Sequence, residues 1–164
     1  MRFYHDYQND EPRSTAARFS WCCLASGSAT HYRRFASKFA KSEVSYLISL
    51  PKSYETDSAK RYPVVYWLHG MGGNQRAGVS FLRQAIPVME SGRSPEMIVV
   101  LVNGMKDCFY NDSPHGKWPV ESVLMKELIP HIDETYRTLA KRESRAVEGY
   151  SMGGYGAAHL AFNC

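Results

Sequence analysis

The sequence predicts an α/β fold, a doubly wound and mostly parallel sheet with helices on both faces. Two observations carry that prediction. The runs PVVYWLH (Pro63 to His69) and MIVVLVN (Met97 to Asn103) are almost continuously apolar and rich in Val and aromatic residues, as in strands buried on both faces. Helical patterns separate these runs from each other and from a third, RAVEG (Arg145 to Gly149), and strands alternating with helices of this length build parallel sheets through right-handed crossovers.

Residues 1–34 carry no helical or strand periodicity and read as an unpatterned N-terminal extension, leaving residues 35–164 as the domain. From Glu43 the pattern changes. EVSYLISL sets Val44, Tyr46, Ile48 and Leu50 on one face of a half-buried strand that Pro51 ends. A turn-rich loop leads to the first buried run. RAGVSFLRQAIPVMES then predicts a helix disturbed at Pro87, which lacks a backbone donor. After the second run, WPVESVLMKELIPHIDETYRTLA places Val120, Val123, Leu124, Leu128, Ile132, Tyr136 and Leu139 at helical spacing. Pro119 suits the first turn of that helix, and Pro130 is expected to kink or split it.

The 164 residues suffice for one ordinary core, and 44% apolar with 22% charged residues is near the soluble average. A formal charge of +4, its excess concentrated near the N-terminus, does not make a nucleic-acid-binding stripe. Cys22, Cys23, Cys108 and Cys164 form neither a zinc pattern nor a disulfide framework, so no metal is expected. No apolar run reaches the roughly 18 residues of a membrane span. RFSWCCLASGSA, Arg18 to Ala29, is the nearest approach to a signal peptide, but Ser and Gly interrupt it and acidic residues precede it. A cytoplasmic location is therefore favoured over secretion.

Ligands of open parallel sheets bind beyond the carboxyl ends of the strands, which directs attention to the loops after His69, Asn103 and Gly149. Gly149-Tyr150-Ser151-Met152-Gly153 is a GxSxG between a short strand and a small-residue helix, GYGAAHLAF. A serine on so sharp a turn projects its hydroxyl above the sheet, and the turn brings flanking residues too close for side chains, hence glycine two before and two after. The alternative is a glycine-rich turn with a serine N-cap. After the first buried strand comes His69-Gly70-Met71-Gly72-Gly73-Asn74. An acyl-transfer oxyanion needs two backbone donors: Met152 N–H can supply one, and Met71 or Gly72 the other. The same loop fails as a dinucleotide fingerprint, because Gln75 stands where a third glycine belongs.

At these motifs the chain resembles the α/β-hydrolase esterases of the esterase D type, which include S-formylglutathione hydrolases and feruloyl esterases. YLISLPKSYE, RYPVVYWLHGMGGN, NGMKDCFYNDSPHGKWPVE, KELIPHIDETYRT and VEGYSMGGYGAAHLAF occur in the family's order, over about Phe35 to Asn163. The resemblance implies that Ser151 is the nucleophile of a carboxylic-ester or thioester hydrolase working through an acyl-enzyme. It implies that Met152 and Met71 are the oxyanion donors and that residues 103–116 border the substrate, with Tyr110, Asn111 and Asp112 as candidate contacts. It requires no cofactor, and it implies a small-molecule ester or thioester as partner, not a nucleic acid or a membrane.

A serine nucleophile needs a histidine base oriented by a carboxylate, and in this fold both follow the serine. Only thirteen residues follow Ser151, with no carboxylate side chain and one histidine, His159. Eight helical residues put His159 about 12 Å from Ser151. A pairing of Ser151 with His69 or His115 lacks an evident orienting carboxylate. The expectation is the N-terminal portion of a longer enzyme, inactive alone, with the nucleophile strand at an exposed sheet edge open to self-association. The competing expectation is a noncatalytic hydrolase-like binding module.

Overall fold

The computed structural model describes residues 28–105 and 107–163. The elements are β1 (Ala29–Ser37), β2 (Ser42–Leu50), β3 (Val64–Leu68), α1 (Val79–Glu90), β4 (Ile98–Val102), α2 (Val120–Val123), α3 (Ile129–Thr135), β5 (Arg145–Gly149) and α4 (Met152–Asn163). The sheet order is β1-β2-β4-β3-β5. β3 runs parallel to both β4 and β5, whereas β2 is antiparallel to β4 and to β1, so the sheet is mixed. The signal-like stretch lies almost wholly outside the described residues.

Helices cover both faces, as predicted. Along β4, Ile98, Val100 and Val102 join one core with Tyr66, Leu68, Leu124, Leu128, Ile132 and Leu160, while Val99 and Leu101 join Trp67 and α1's Leu82, Ile86 and Met89 on the other face. All five β4 residues are buried. That explains the unbroken apolar run, since a strand sandwiched by helices has no side left for polar residues. Val44, Tyr46, Ile48 and Leu50 of β2 all enter the first core, matching the alternation read from the sequence.

Three elements depart from expectation. Residues 29–34, assigned to the extension, form most of β1, which pairs with β2 along its full length. β1 is an edge strand in which only Phe35 and Ser37 are buried, so its backbone pairing has no apolar alternation to announce it. α1 runs through Pro87 undisturbed as an element; Pro87 and Arg83, whose carbonyl loses its partner, both face solvent. The helix expected over residues 120–139 ends at Thr135, with Tyr136 extended and Thr138 bridged to Tyr62.

Pro130 does interrupt that helix. A π-helical turn, Leu124–Leu128, separates α2 from α3, and Ile129 N–H bonds the Leu124 carbonyl five residues back. Proline cannot donate to the carbonyl four residues before it, so the wider turn accommodates the missing bond. The π turn carries Glu127 to the β1–β2 connection. There its carboxylate accepts from the Ser37 hydroxyl and from the Lys38 and Phe39 N–H groups, at 2.8 and 3.3 Å for the two amides. Glu127→Ala leaves these donors to water and should cost about 1–3 kcal/mol in denaturant unfolding, with Glu127→Gln recovering part of it. Equal stability of the two variants and the parent would contradict this role.

Candidate active site

The site forms where β3 and β5, adjacent and parallel, end together. Tyr150 N–H donates to the Leu68 carbonyl at 3.1 Å, extending the pairing by one residue. The chain then turns sharply at Ser151, whose φ is +54°, and α4 begins at Met152. A left-handed non-glycine residue costs of order 1–3 kcal/mol and persists only when its surroundings over-determine it.

Both glycines of the motif meet backbone on every side. A Cβ on Gly149 would lie 2.3 Å from the Gly153 carbonyl carbon, and one on Gly153 would lie 2.1 Å from the Leu68 oxygen. Neither obstacle can rotate away, so the first turn of α4 packs directly on the end of β3. The serine N-cap alternative does not demand that crowding. Ser151 is exposed at the apex, and a Cβ built on Gly70 would sit 3.5 Å from the Ser151 Cβ, which places the two loops in contact.

The donor groups can be assigned one at a time. At the start of α4, Gly153 N–H returns to the Tyr150 carbonyl and Tyr155 N–H to the Ser151 carbonyl, while Met152 N–H, at the first helical position, has no intrahelical acceptor. In the facing turn, Gly73 N–H donates to the Gly70 carbonyl at 3.1 Å and Gly72 N–H to Asp107 Oδ1 at 2.8 Å. Gly72, a candidate oxyanion donor, is thus committed elsewhere. Met71 N–H has no acceptor among the described residues.

His69 organises the base of this turn. Gly104 N–H can only donate, so His69 Nε2 accepts it at 3.0 Å, and His69 Nδ1 therefore carries the proton that goes to the Gly70 carbonyl at 2.7 Å. Both ring nitrogens are occupied in a buried neutral imidazole, which removes His69 as a base for Ser151. Among the described residues no hydrogen bond joins Ser151 to a histidine. His131 bonds the Tyr46 hydroxyl at 3.0 Å, His159 pairs with Glu121 of α2 at 3.1 Å, and His31 and His115 lie in β1 and the polar loop.

The 103–116 loop takes a different part from the expected one. Tyr110 is fully buried, donates its hydroxyl to the His69 carbonyl at 3.0 Å, and packs where a Cβ on Gly156 would be 2.5 Å from its ring. It props the site from behind and presents nothing to a substrate. Asp112 accepts from Ser122 N–H and hydroxyl at 3.0 and 2.6 Å, binding the loop to α2. Asn111 is half-buried, with an Oδ1 that has no partner among the described residues. The elbow and its neighbouring loops instead carry exposed apolar side chains: Met71, Tyr150, and Tyr155 in edge contact with Phe109, ring centroids 5.4 Å apart. Sequence reasoning missed Asp107, Phe109 and Tyr155, although Tyr155 stands one helical turn from Ser151 and so shares its end of the sheet. No cluster of three His, Cys, Asp or Glu side chains is placed to hold a metal among the described residues, and no helix there is long and apolar enough to cross a membrane.

Two consequences are measurable. Gly153→Ala drives a methyl into the Leu68 carbonyl and should cost at least about 3 kcal/mol, whereas Gly154→Ala, one residue on and clear to 3.4 Å, should be neutral or stabilise by up to about 1 kcal/mol. Similar thermal midpoints for the two would contradict the crowding. Burial holds the His69 pKa below its ordinary 6.5, against weaker upward pulls from the Gly70 carbonyl and Asp107. The unfolded chain then binds the extra proton first, so the His69 contribution is complete above the unfolded pKa and is lost as pH falls through the folded one. An NMR titration should place its midpoint below 6.5; a midpoint at or above that value would contradict the assigned tautomer and burial.

Known proteins match this architecture. Residues 37–164 match the Esterase family. An esterase of Mycobacterium tuberculosis is 34% identical over 117 residues, covering 70% of this chain and 25% of its own length. A ferulic acid esterase structure superposes with a TM-score of 0.77 at 32% identity, covering 83% of this chain and 55% of that one. A ferulic acid esterase from Anaeromyces mucronatus, solved in complex with ferulic acid, gives a TM-score of 0.70 at 27% identity, over 82% of this chain and 53% of that one. The chain thus spans a quarter of the curated relative and about half of each structural one. With the family match covering residues 37–164 and that superposition at 32% identity, the chain belongs to the esterase family of the α/β-hydrolase fold.

Proposed function

We propose that this chain carries the nucleophile and oxyanion site of a carboxylic-ester hydrolase, with its general base supplied by residues outside those described. The observation that carries the reading is Ser151 held at positive φ between two glycines that admit no Cβ, with two backbone N–H groups nearby, those of Met152 and Met71, that have no acceptor among the described residues. In this mechanism Ser151 Oγ attacks the ester carbonyl while a base takes its proton. Met152 and Met71 N–H groups receive the developing oxyanion, the alcohol leaves protonated, and water then hydrolyses the acyl-serine by the same route. Helix α4 points its N-terminus at that oxygen, where its dipole favours negative charge.

The exposed rim of Phe109, Tyr150, Tyr155 and Met71 supports an aromatic ester as substrate, since flat rings stack on such a surface. The ferulic acid bound by the Anaeromyces mucronatus relative is consistent with that choice. β5, at the sheet edge among the described residues, leaves backbone groups open to a further strand and is the surface through which self-association would occur.

Members of a serine–histidine–carboxylate set act as a unit, and losing the serine or the histidine alone costs about as much as losing all three. A chain with Ser151 but no base should therefore hydrolyse p-nitrophenyl acetate no faster than its Ser151→Ala variant. Added imidazole can act as a diffusing base, and a positioned base is worth roughly 100-fold or more. In imidazole the parent should exceed Ser151→Ala, each corrected for the uncatalysed rate, by roughly tenfold. A large Ser151-dependent rate without imidazole would mean that a base is already in place. No Ser151-dependent rate under either condition would favour the noncatalytic binding module.

A further inference from the structure

Phe109 and Tyr110 are consecutive left-handed residues, with φ of +56° and +61°, in a turn closed by a 3.1 Å bond from Asn111 N–H to the Cys108 carbonyl. Two positive φ values at the centre of a four-residue turn mark type I′, whose central positions favour Asn and Gly. Large aromatic side chains are outliers there. A local conflict of this kind persists where packing or function offsets it. Packing accounts for one of the two. Tyr110 is fully buried, its hydroxyl bonds the His69 carbonyl at 3.0 Å, and its ring lies over Gly156 of α4, where a Cβ would be 2.5 Å away. Phe109 is instead 41% exposed and meets the Tyr155 ring edge to face, and Tyr155 is itself 54% exposed. Asparagine would fit the same backbone without strain, so packing does not explain a ring at this position.

The two rings stand at the Ser151 end of α4. Tyr155 N–H donates to the Ser151 carbonyl at 3.2 Å, which sets the two residues one helical turn apart. Residues four apart lie one above the other, and a helical side chain leans toward the N-terminus, over the turn before its own Cα. The Tyr155 ring therefore leans over the turn that begins at the exposed Ser151. His159, one turn further along α4, stacks parallel to that ring with centroids 6.3 Å apart, and Glu121 of α2 holds His159 at 3.1 Å. Tyr155 is thus braced from its C-terminal side. The planes of Phe109 and Tyr155 meet at 84°, with centroids 5.4 Å apart, and form a corner. A third flat ring laid on one face meets the other ring edge on, and both arrangements are the ones aromatic pairs prefer.

We propose that Phe109 is a specificity-determining residue, whose strained backbone stands its ring against Tyr155 to form the wall that receives a planar aromatic group of the ester. The inference rests on the ester-hydrolase reading. The same turn places its two aromatic residues oppositely: Tyr110 goes inward to His69, and Phe109 stays at the surface beside the elbow helix. An aromatic acyl group and an aromatic alcohol share the chemistry that this wall recognises. Cinnamate stands for the first and phenol for the second.

The test compares the parent with Phe109→Asn, which suits the turn but lacks the ring, and Phe109→Tyr, which restores it. The thermal midpoint of Phe109→Asn should stay within a few degrees of the parent or rise, because relieved strain offsets the lost ring contact. In NMR titrations the parent should bind cinnamate more tightly than 3-cyclohexylpropanoate, or phenol more tightly than cyclohexanol, with shifts centred on Phe109 and Tyr155. A merely apolar surface would favour the saturated partner of each pair. Phe109→Asn should weaken the preferred aromatic ligand roughly threefold to tenfold, the equivalent of one aromatic pair, and Phe109→Tyr should recover it. That ligand should also inhibit the imidazole-supported, Ser151-dependent hydrolysis of p-nitrophenyl acetate competitively. A parent without aromatic preference, or a Phe109→Asn variant that keeps it, would overturn the proposal. So would a midpoint lowered by more than about 10 °C, which would assign the ring to packing, or aromatic binding without inhibition, which would place the wall away from Ser151. If the parent shows no Ser151-dependent rate, the hydrolase reading falls and the proposal with it, even where Phe109-dependent binding persists.

Discussion

The contact on which the site depends is backbone against backbone: the first turn of α4 lies on the carbonyl end of β3 with no side chain between them. Gly153 meets Leu68 and Gly149 meets Gly153 at separations that exclude a Cβ. This closeness lets β5 turn into α4 within a single residue, and that residue must take the left-handed conformation. The cost of placing a serine there is of order 1–3 kcal/mol, a sizeable share of the 5–15 kcal/mol that stabilise an ordinary domain. It is sustained by the buried strands beneath it, β4 wholly buried and β3 nearly so, with the apolar faces of the helices packed on both sides. The strain and the exposed hydroxyl are two results of the same packing.

A second layer of the site is polar and centres on His69. Its ring and carbonyl collect a backbone amide from Gly104, a hydroxyl from Tyr110 and the Gly70 carbonyl, all in a buried position where an unmet hydrogen bond would cost about 1–3 kcal/mol. A histidine adjoining a nucleophile loop invites assignment as the base, but here the imidazole is structural. It spends both nitrogens on shaping the turn that faces Ser151. The positions of Ser151 and of the 70–73 turn are therefore set by local turns and their neighbours.

How much could be read from the sequence followed from what each feature depends on. β3 and β4 were legible because double-sided burial leaves an unbroken apolar run, and β5 with its elbow because the turn demands glycine at two fixed positions. β1 was not, since an edge strand is specified by its partner's backbone, and its Arg33 and Arg34 carry no alternation. Pro87 and Pro130 show the limit of a local rule: both prolines are exposed, as are Arg83 and Lys126 four residues before them, yet α1 continues through the first while a π turn precedes the second. Tyr110 and Asp112 read as polar loop residues facing a ligand. Their hydrogen bonds run instead to His69, 41 residues away, and to Ser122 at the start of the next helix, contacts that no spacing encodes. Asp107 was invisible for the same reason.

The central claim is that the elbow makes Ser151 the attacking group. Mass-spectrometric mapping of the chain after incubation with p-nitrophenyl acetate and imidazole tests it without reference to turnover. The account predicts an acetyl group on the peptide containing Ser151, absent when Ser151 is alanine. Acetylation confined to lysines or to Cys108, with Ser151 unmodified, would contradict it.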